Sequence, residues 1–289
     1  MPLIESEIYD EGAYSENNLS VKAVCLEALG LSNIDNFFIV NNEVNYYKQG
    51  FSEGSDVKAL VLNPFNINDN TVLKVDNNSN ASDDSLKKTL DQSKVEVLIY
   101  HSHTTENYAE AGKDTLDENY SVVGVGNEVT RELEENYGIA VIHDKTNHSV
   151  SYNNSYDRSN ETVNRYLQKY GNFKIIIDIH RDSVANKSAV TTNINGESLA
   201  KIMFVTAKNS SRYSKNQALV DELYNKANVL FPGLTKPTYT YNRGINGFNL
   251  GLSDGSLLIE CGSDNNTSAE AQGSGRYIAR LIAEYINKK

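Results

Sequence analysis

Three short apolar runs in this chain each lead directly into residues that bind metals or carry protons. They are Val97-Leu98-Ile99-Tyr100-His101-Ser102-His103, Ile175-Ile176-Ile177-Asp178-Ile179-His180 and Leu257-Leu258-Ile259-Glu260-Cys261-Gly262. Buried strands of one sheet bring their carboxyl ends to a common edge, where open α/β sheets place their ligands. Histidines at two such ends and a glutamate at the third are what a hydrolytic zinc site needs: imidazoles to hold the ion, a carboxylate to handle the proton of its water.

Each residue also has a plainer reading. His101 and His103 lie two apart, so a continuing strand would turn both to one side, suited to a metal; the alternative is one core and one surface histidine. Two groups of metal hydrolases use such a pair. One needs an Asp-His just downstream, where this chain has Thr104-Thr105-Glu106-Asn107. The other is an eight-stranded barrel, for which the roughly 200 residues after Val95 hold too few strand–helix pairs. His180 follows a strand apolar enough to be central, and with Arg181 and Asp182 attached it is badly placed for packing and well placed for a site. Glu260 ends a buried strand and suits a general base; otherwise it is a salt-bridged glutamate on the sheet rim. Strand alternation turns Cys261 away from it, so that thiol is read as packing. His143 and His148 are read as surface residues, and Glu132, Glu134 and Glu135 as the solvated face of a helix.

The chain has 289 residues, 39% hydrophobic and 22% charged, with 18 tyrosines and no tryptophan. That is enough for one large domain and a small addition. A formal charge of −11 argues against a nucleic-acid partner and against anionic membrane surfaces. No apolar run reaches the ~20 residues of a membrane helix, and the start lacks a signal-like n-region. Two cysteines, Cys25 and Cys261, cannot make a disulfide framework.

The positioning elements follow from periodicity. Residues 19–31 read as a short amphipathic helix, followed by strand-like runs up to Leu62. An Asn/Asp/Ser-rich stretch then marks a linker before about residue 92. From Val95 strands alternate with helices. The predicted strands are 95–100, 139–142 and 173–179, a hairpin of 190–194 and 199–205 about Asn195-Gly196, and 256–259; the predicted helices are about 127–137, 161–170, 214–230 and 269–286. The expected fold is α/β, a mostly parallel or mixed sheet covered by helices. A small N-terminal α+β addition of unknown role (1–92) precedes the catalytic domain (93–289).

Taken together, Tyr100-His101-Ser102-His103-Thr104-Thr105-Glu106-Asn107-Tyr108, Asp178-Ile179-His180-Arg181-Asp182 and Leu258-Ile259-Glu260-Cys261-Gly262 resemble the stage II sporulation protein P family. More distantly they resemble the zinc-dependent N-acetylmuramoyl-L-alanine amidases. The resemblance spans about 95–289 and is specific as a set, each motif being weak alone. It implies an amidase-like fold, one Zn²⁺, and cleavage of the amide joining N-acetylmuramic acid to L-alanine in peptidoglycan during engulfment, with peptide cross-links as a further substrate. The metal ligands carried over are His103, His180 and, between them, Glu118, whose spacing fits the family; Glu106, in the more distinctive motif, is its rival, as His101 is for His103. Glu260 corresponds to the catalytic glutamate. Arg181 departs from the amidases' small residue after the second histidine, and a guanidinium there suits a substrate carboxylate. The resemblance further implies a glycan-cleaving lytic transglycosylase and membrane anchor proteins as partners. It also implies an extracytoplasmic place at the forespore–mother cell septum, with a membrane anchor outside this chain. A zinc endopeptidase limited to cross-links and a non-catalytic wall-binding scaffold are the competing functions.

Overall fold

The computed structural model describes residues 81–151 and 154–287, all within one compact unit spanning Leu73–Lys289. The helix at 19–31, Cys25 and the strand-like runs before Leu62 lie outside the described residues. The order is β1 (Val97–Tyr100), α1 (Val122–Tyr137), β2 (Val141–His143), α2 (Ser155–Tyr170), β3 (Ile175–Asp182), β4 (Thr191–Ile194), β5 (Glu197–Ala200), β6 (Ile202–Ala207), α3 (Tyr213–Leu230), β7 (Tyr239–Tyr241), β8 (Ser256–Ser263) and α4 (Ser268–Asn287). Six strands form one sheet in the order β2-β1-β3-β8-β6-β7. The first four are mutually parallel; β6 runs antiparallel to β8 and pairs in parallel with β7. The sheet is thus mixed and flanked by helices.

Alternation along the central strands decides what each face carries. Ile175, Ile177 and Ile179 of β3, with Leu257, Ile259 and Cys261 of β8, join the large core that includes Val125, Val129 and Leu133 of α1 and Tyr277, Ile278 and Leu281 of α4. The opposite faces of the same strands present Ile176, Asp178, His180, Leu258 and Glu260 toward the side where α2 packs. Burying both faces of β3 explains its near-continuous apolar run. It also explains why polar residues in that strand sit only toward its carboxyl end.

The structure redraws several expected elements. Helix α1 starts at Val122 and α2 at Ser155, both earlier than expected; the added first turns bury Val122, Val123 and Val125 in α1 and Ser155 and Tyr156 in α2. The expected strand 199–205 is two strands. Lys201 breaks it: its N–H donates to Val190 O (2.7 Å) on the hairpin side and its carbonyl accepts from Gly262 N (2.8 Å) on the main sheet. The predicted Asn195-Gly196 turn is present, both residues at positive φ (55° and 83°). Residues 81–92, expected to belong to a linker, pack on the α/β unit. Leu86 is buried, Tyr137 Oη donates to Ala81 O (2.9 Å), and Asp83 pairs with the buried Arg280 (2.7 Å). Cys261 is buried as packing, facing away from Glu260.

Candidate active site

β3 and β8 are parallel neighbours whose register pairs His180 with Glu260. Two residues at equivalent depths on adjacent strands are brought onto the same face within side-chain reach, so the sheet itself assembles half of the site. The β3–β8 register shifts between the His180–Glu260 and Asp182–Ser263 pairs, and within that shift lies Gly262, whose φ of +68° and close approach to Asn266 and Ala200 leave no room for a side chain.

β1 ends at Tyr100, and residues 102–105 form a turn, so the expected two-residue alternation of His101 and His103 does not hold. The two histidines part company. His101 stays under the sheet edge. Its Nδ1–H donates to Ile179 O (2.9 Å), since a carbonyl can only accept, and this leaves the Nε2 lone pair facing His143 Nε2 at 2.9 Å. Burial lowers both pKa values, to about 4 for His101 and about 2 for His143, so the pair is neutral and one ring donates to the other. His143, expected on the surface, is therefore a brace for the β1 exit. His148, also expected there, is buried between His101 O (2.8 Å) and Thr162 Oγ1 (3.0 Å). Glu132, expected on the solvated face of α1, is buried as well and paired with Arg131 (2.6 Å).

His103 instead reaches the cleft, its ring edge-on to His180 with centroids 5.3 Å apart. The cleft is about 410 Å³ and is lined by His103, Glu106, Tyr156, His180 and Glu260, with Arg181, Asp182, Arg243 and Phe248 around them. A larger cavity of about 1080 Å³ lies at the amino ends of β1 and β3, between Lys88 and Lys174, and holds no histidine or catalytic carboxylate pair. His103, His180 and Glu260, singled out by the sequence, converge on the smaller one.

Beneath His180 lies Asp178, fully buried. Its Oδ1 sits 2.9 Å from His180 Nε2 and accepts from Ser102 N (2.8 Å), while Oδ2 accepts from Ser102 Oγ (2.6 Å). Burial pushes the Asp178 pKa up, but the His180 charge and the Ser102 bonds outweigh it and hold the acid below its usual range. Burial likewise works against charge on His180. Asp178 and then Glu106 more than offset this, so its pKa stands well above the ordinary imidazole value. A carboxylate behind one ring nitrogen leaves the other, Nδ1, for the cleft, where Glu106 Oε2 lies 3.4 Å away. Glu106 Oε2 also accepts from Arg181 N (3.0 Å). Glu260 Oε2 is sealed from solvent with no hydrogen-bond partner among the described residues; burial raises its pKa to about 8 against the opposing pull of His180.

Of the sequence-predicted residues, His103, His180, Glu260 and Arg181 meet in this cleft. Glu118 does not. It lies on the short 3₁₀ turn before α1, 45% exposed, accepting from Lys145 Nζ (2.6 Å) and Asn127 Nδ2 (3.0 Å). Spacing along a chain cannot distinguish two glutamates twelve residues apart when the intervening loop folds back. The turn at 102–105, closed by Glu106 N donating to His103 O (3.1 Å), carries Glu106 to the histidines instead. Arg181 is present but occupied, its guanidinium donating to Asn107 O (3.1 Å) and Asn107 Oδ1 (3.2 Å). Tyr156 was not foreseen. Its ring stacks on His180 (6.3 Å) and meets His103 (5.3 Å) and Phe248 (5.5 Å), and nothing local in an Asn/Ser-rich stretch marks it out.

The donor types fit a zinc ion: two imidazoles, one of them backed by a buried carboxylate, one further carboxylate, and a buried oxygen on Glu260 lacking a partner among the described residues. Among the described residues, no three His, Cys, Asp or Glu side chains are already closed into a set that could hold an ion.

The chain is a mixed α/β protein that gathers two histidines and two glutamates in one cleft at the carboxyl edge of its sheet. A family model, Stage II sporulation protein P (SpoIIP), matches residues 25–283. Stage II sporulation protein P of Bacillus subtilis (strain 168) is 33% identical over 220 residues, covering 71% of this chain and 54% of that protein. The chain belongs to the stage II sporulation protein P family. It spans about half the length of the curated relative it matches. Among solved structures, similar ones include the CwlD amidase from Clostridioides difficile in complex with the GerS lipoprotein (13% identity, 66% of this chain and 99% of that chain, TM-score 0.43). Another is an N-acetylmuramyl-L-alanine amidase from Mycobacterium smegmatis (12% identity, 69% and 100%, TM-score 0.43). Among the described residues no helix is long and apolar enough to cross a membrane.

Proposed function

We propose that this chain is a zinc-dependent peptidoglycan hydrolase that cleaves the N-acetylmuramoyl-L-alanine amide, with zinc held by His103, Glu106 and His180. The observation that carries the reading is the convergence of those three donors with Glu260, a carboxyl whose buried oxygen lacks a partner among the described residues. Glu106 takes the place that spacing favoured for Glu118, because it lies in the cleft and Glu118 is engaged by Lys145 outside it.

Bound zinc would polarise the scissile carbonyl and make a water acidic enough to attack at neutral pH. The remaining steps fall to the chain. Glu260, whose pKa of about 8 in the metal-free cleft suits proton exchange near neutrality, takes a proton from the attacking water. The water oxygen bonds to the carbonyl carbon, the C–N bond breaks, and Glu260 returns the proton to the leaving amine. Asp178 keeps His180 oriented through Nε2. Tyr156 walls the histidines from bulk water. Membership of a sporulation family supports peptidoglycan as substrate and the engulfment septum as the place of action; a lytic transglycosylase and membrane anchor proteins are the partners this reading includes.

The test is digestion of purified peptidoglycan by zinc-loaded protein with products resolved by mass spectrometry. Glycans with unsubstituted muramic acid and free stem peptides are expected. Glu260→Ala should retain zinc and lose at least 100-fold in rate. Split bridges on intact glycan–stem units would replace the amidase by the cross-link endopeptidase, and no products from zinc-loaded protein would leave a wall-binding scaffold.

A further inference from the structure

The acidic residues that line the cleft already have partners or a role: Asp182 pairs with Lys236 (2.8 Å), Glu106 faces His180 (3.4 Å), and Glu260 is the proposed base. Two arginines line the cleft, and they differ. Arg181 is tied to Asn107. Arg243 is exposed, and among the described residues no hydrogen bond or ion pair engages its guanidinium. The chain has eight arginines, all described. The other seven each bond to protein: Arg131, Arg158, Arg165, Arg181, Arg212, Arg276 and Arg280.

The backbone beneath Arg243 is held firmly. β7 is paired to β6 up to Tyr241, and Lys208 N donates to Tyr241 O (3.0 Å). Gly244 exchanges two hydrogen bonds with the Asn209 side chain: its N–H donates to Oδ1 (2.8 Å) and its carbonyl accepts from Nδ2 (2.9 Å). A Cβ on Gly244 would sit 2.5 Å from the Phe248 ring, so the chain passes this point in tight contact with a cleft wall. The next turn is tied to α2 by Asn246 Nδ2 donating to Asp157 Oδ1 (2.6 Å). The fixed backbone sets where the Arg243 side chain leaves the chain at the cleft wall, and its planar guanidinium supplies a ready fork for a carboxylate.

We infer that Arg243 is the specificity residue that receives a carboxylate of the stem peptide on the peptide side of the scissile amide, by a charge-assisted and preferably bidentate contact. This rests on the hydrolase reading above for the identity of the substrate. It moves the carboxylate-binding role from Arg181, which bonds Asn107 and pairs with Asp114 (3.6 Å), to an arginine with no partner among the described residues.

The experiment uses a muramyl-tripeptide with free stem carboxylates and its fully amidated analogue, assayed with the full chain as wild type, Arg243→Ala and Arg243→Lys. Arg243→Ala is expected to raise KM for the free acid about 10-fold or more with most of the loss in KM rather than kcat. Arg243→Lys should recover part of it, since a point charge lacks the fork. The gap between wild type and Arg243→Ala should narrow at least threefold on the amidated analogue. Equal KM values within twofold on the free acid would overturn the inference and leave the hydrolase reading standing. Calorimetric binding of the free tripeptide to Glu260→Gln and to Glu260→Gln/Arg243→Ala separates the opposite case. Binding that depends on Arg243 without any turnover would uphold this inference and end the hydrolase reading; neither binding nor turnover would end both.

Discussion

Asp178→Asn changes one atom and tests the arrangement that orients His180. In the native site Oδ1 accepts Ser102 N at 2.8 Å and lies 2.9 Å from His180 Nε2, and Oδ2 accepts Ser102 Oγ at 2.6 Å. An asparagine can keep its oxygen in the Oδ1 seat and place its amide against Ser102 Oγ, which can turn its own proton toward Ser159 Oγ, 2.8 Å away. Shape and hydrogen-bond count survive; the charge does not. A hydrogen bond to a charged group contributes about 1.5–3 kcal/mol, roughly twice a neutral one, so the metal-free variant should lose on the order of 1–3 kcal/mol. Asp178→Ala, which also orphans the donors, should lose about 3–5 kcal/mol. The deficit has a pH signature. His180 is raised above its unfolded value, so its contribution is complete below about 6.5 and fades as pH rises through its folded pKa. Asp178 is lowered, so its contribution is present above the unfolded carboxylate value and fades as pH falls through its folded pKa. The Asn deficit should therefore be largest near pH 5–6 and shrink in alkali. Urea unfolding of metal-free protein at pH 5.5, 7 and 9 measures it, and chelator competition should show zinc held 10–100-fold more weakly. Equal midpoints for wild type and Asp178→Asn at pH 5.5 would refute the argument that this carboxylate acts as the charged partner of His180.

Two further outcomes follow from the same geometry. Glu106→Gln should lower zinc content by elemental analysis and reduce peptidoglycan turnover at least 100-fold, whereas Glu118→Gln, which breaks a pair that is nearly half exposed, should stay within twofold in turnover and within about 1 kcal/mol in stability; the reverse pattern would restore Glu118. Gly126→Ala ought to gain about 1 kcal/mol from helix propensity alone, yet its Cβ would lie 2.5 Å from His143 Nε2 and 3.0 Å from His101 Nε2. A net loss of about 1–2 kcal/mol in urea unfolding is expected, and a stabilised variant would show that the His101–His143 brace yields freely.

What one dimension determines here is the sheet and its edge. Apolar runs long enough to be buried, each ending in His or Glu, oblige parallel neighbours to deliver His180 and Glu260 to one place, and the register does so. Family membership was legible in the same motifs. The loops were not legible. A two-residue spacing reads the same whether the strand continues or turns, and only the turn at 102–105 sent His103 and Glu106 to the cleft while leaving His101 braced on His143. Tyr156 and Arg243 come from segments with no periodic signal, placed by α2 packing on the sheet and by the Asn209–Gly244 bonds. Arg181 and Glu118 had the right type at a plausible distance in sequence; tertiary neighbours, Asn107 and Lys145, had already claimed them. Local pattern fixes which residues lie near a strand end, but which of them keeps an unspent charge depends on contacts between segments far apart in the chain.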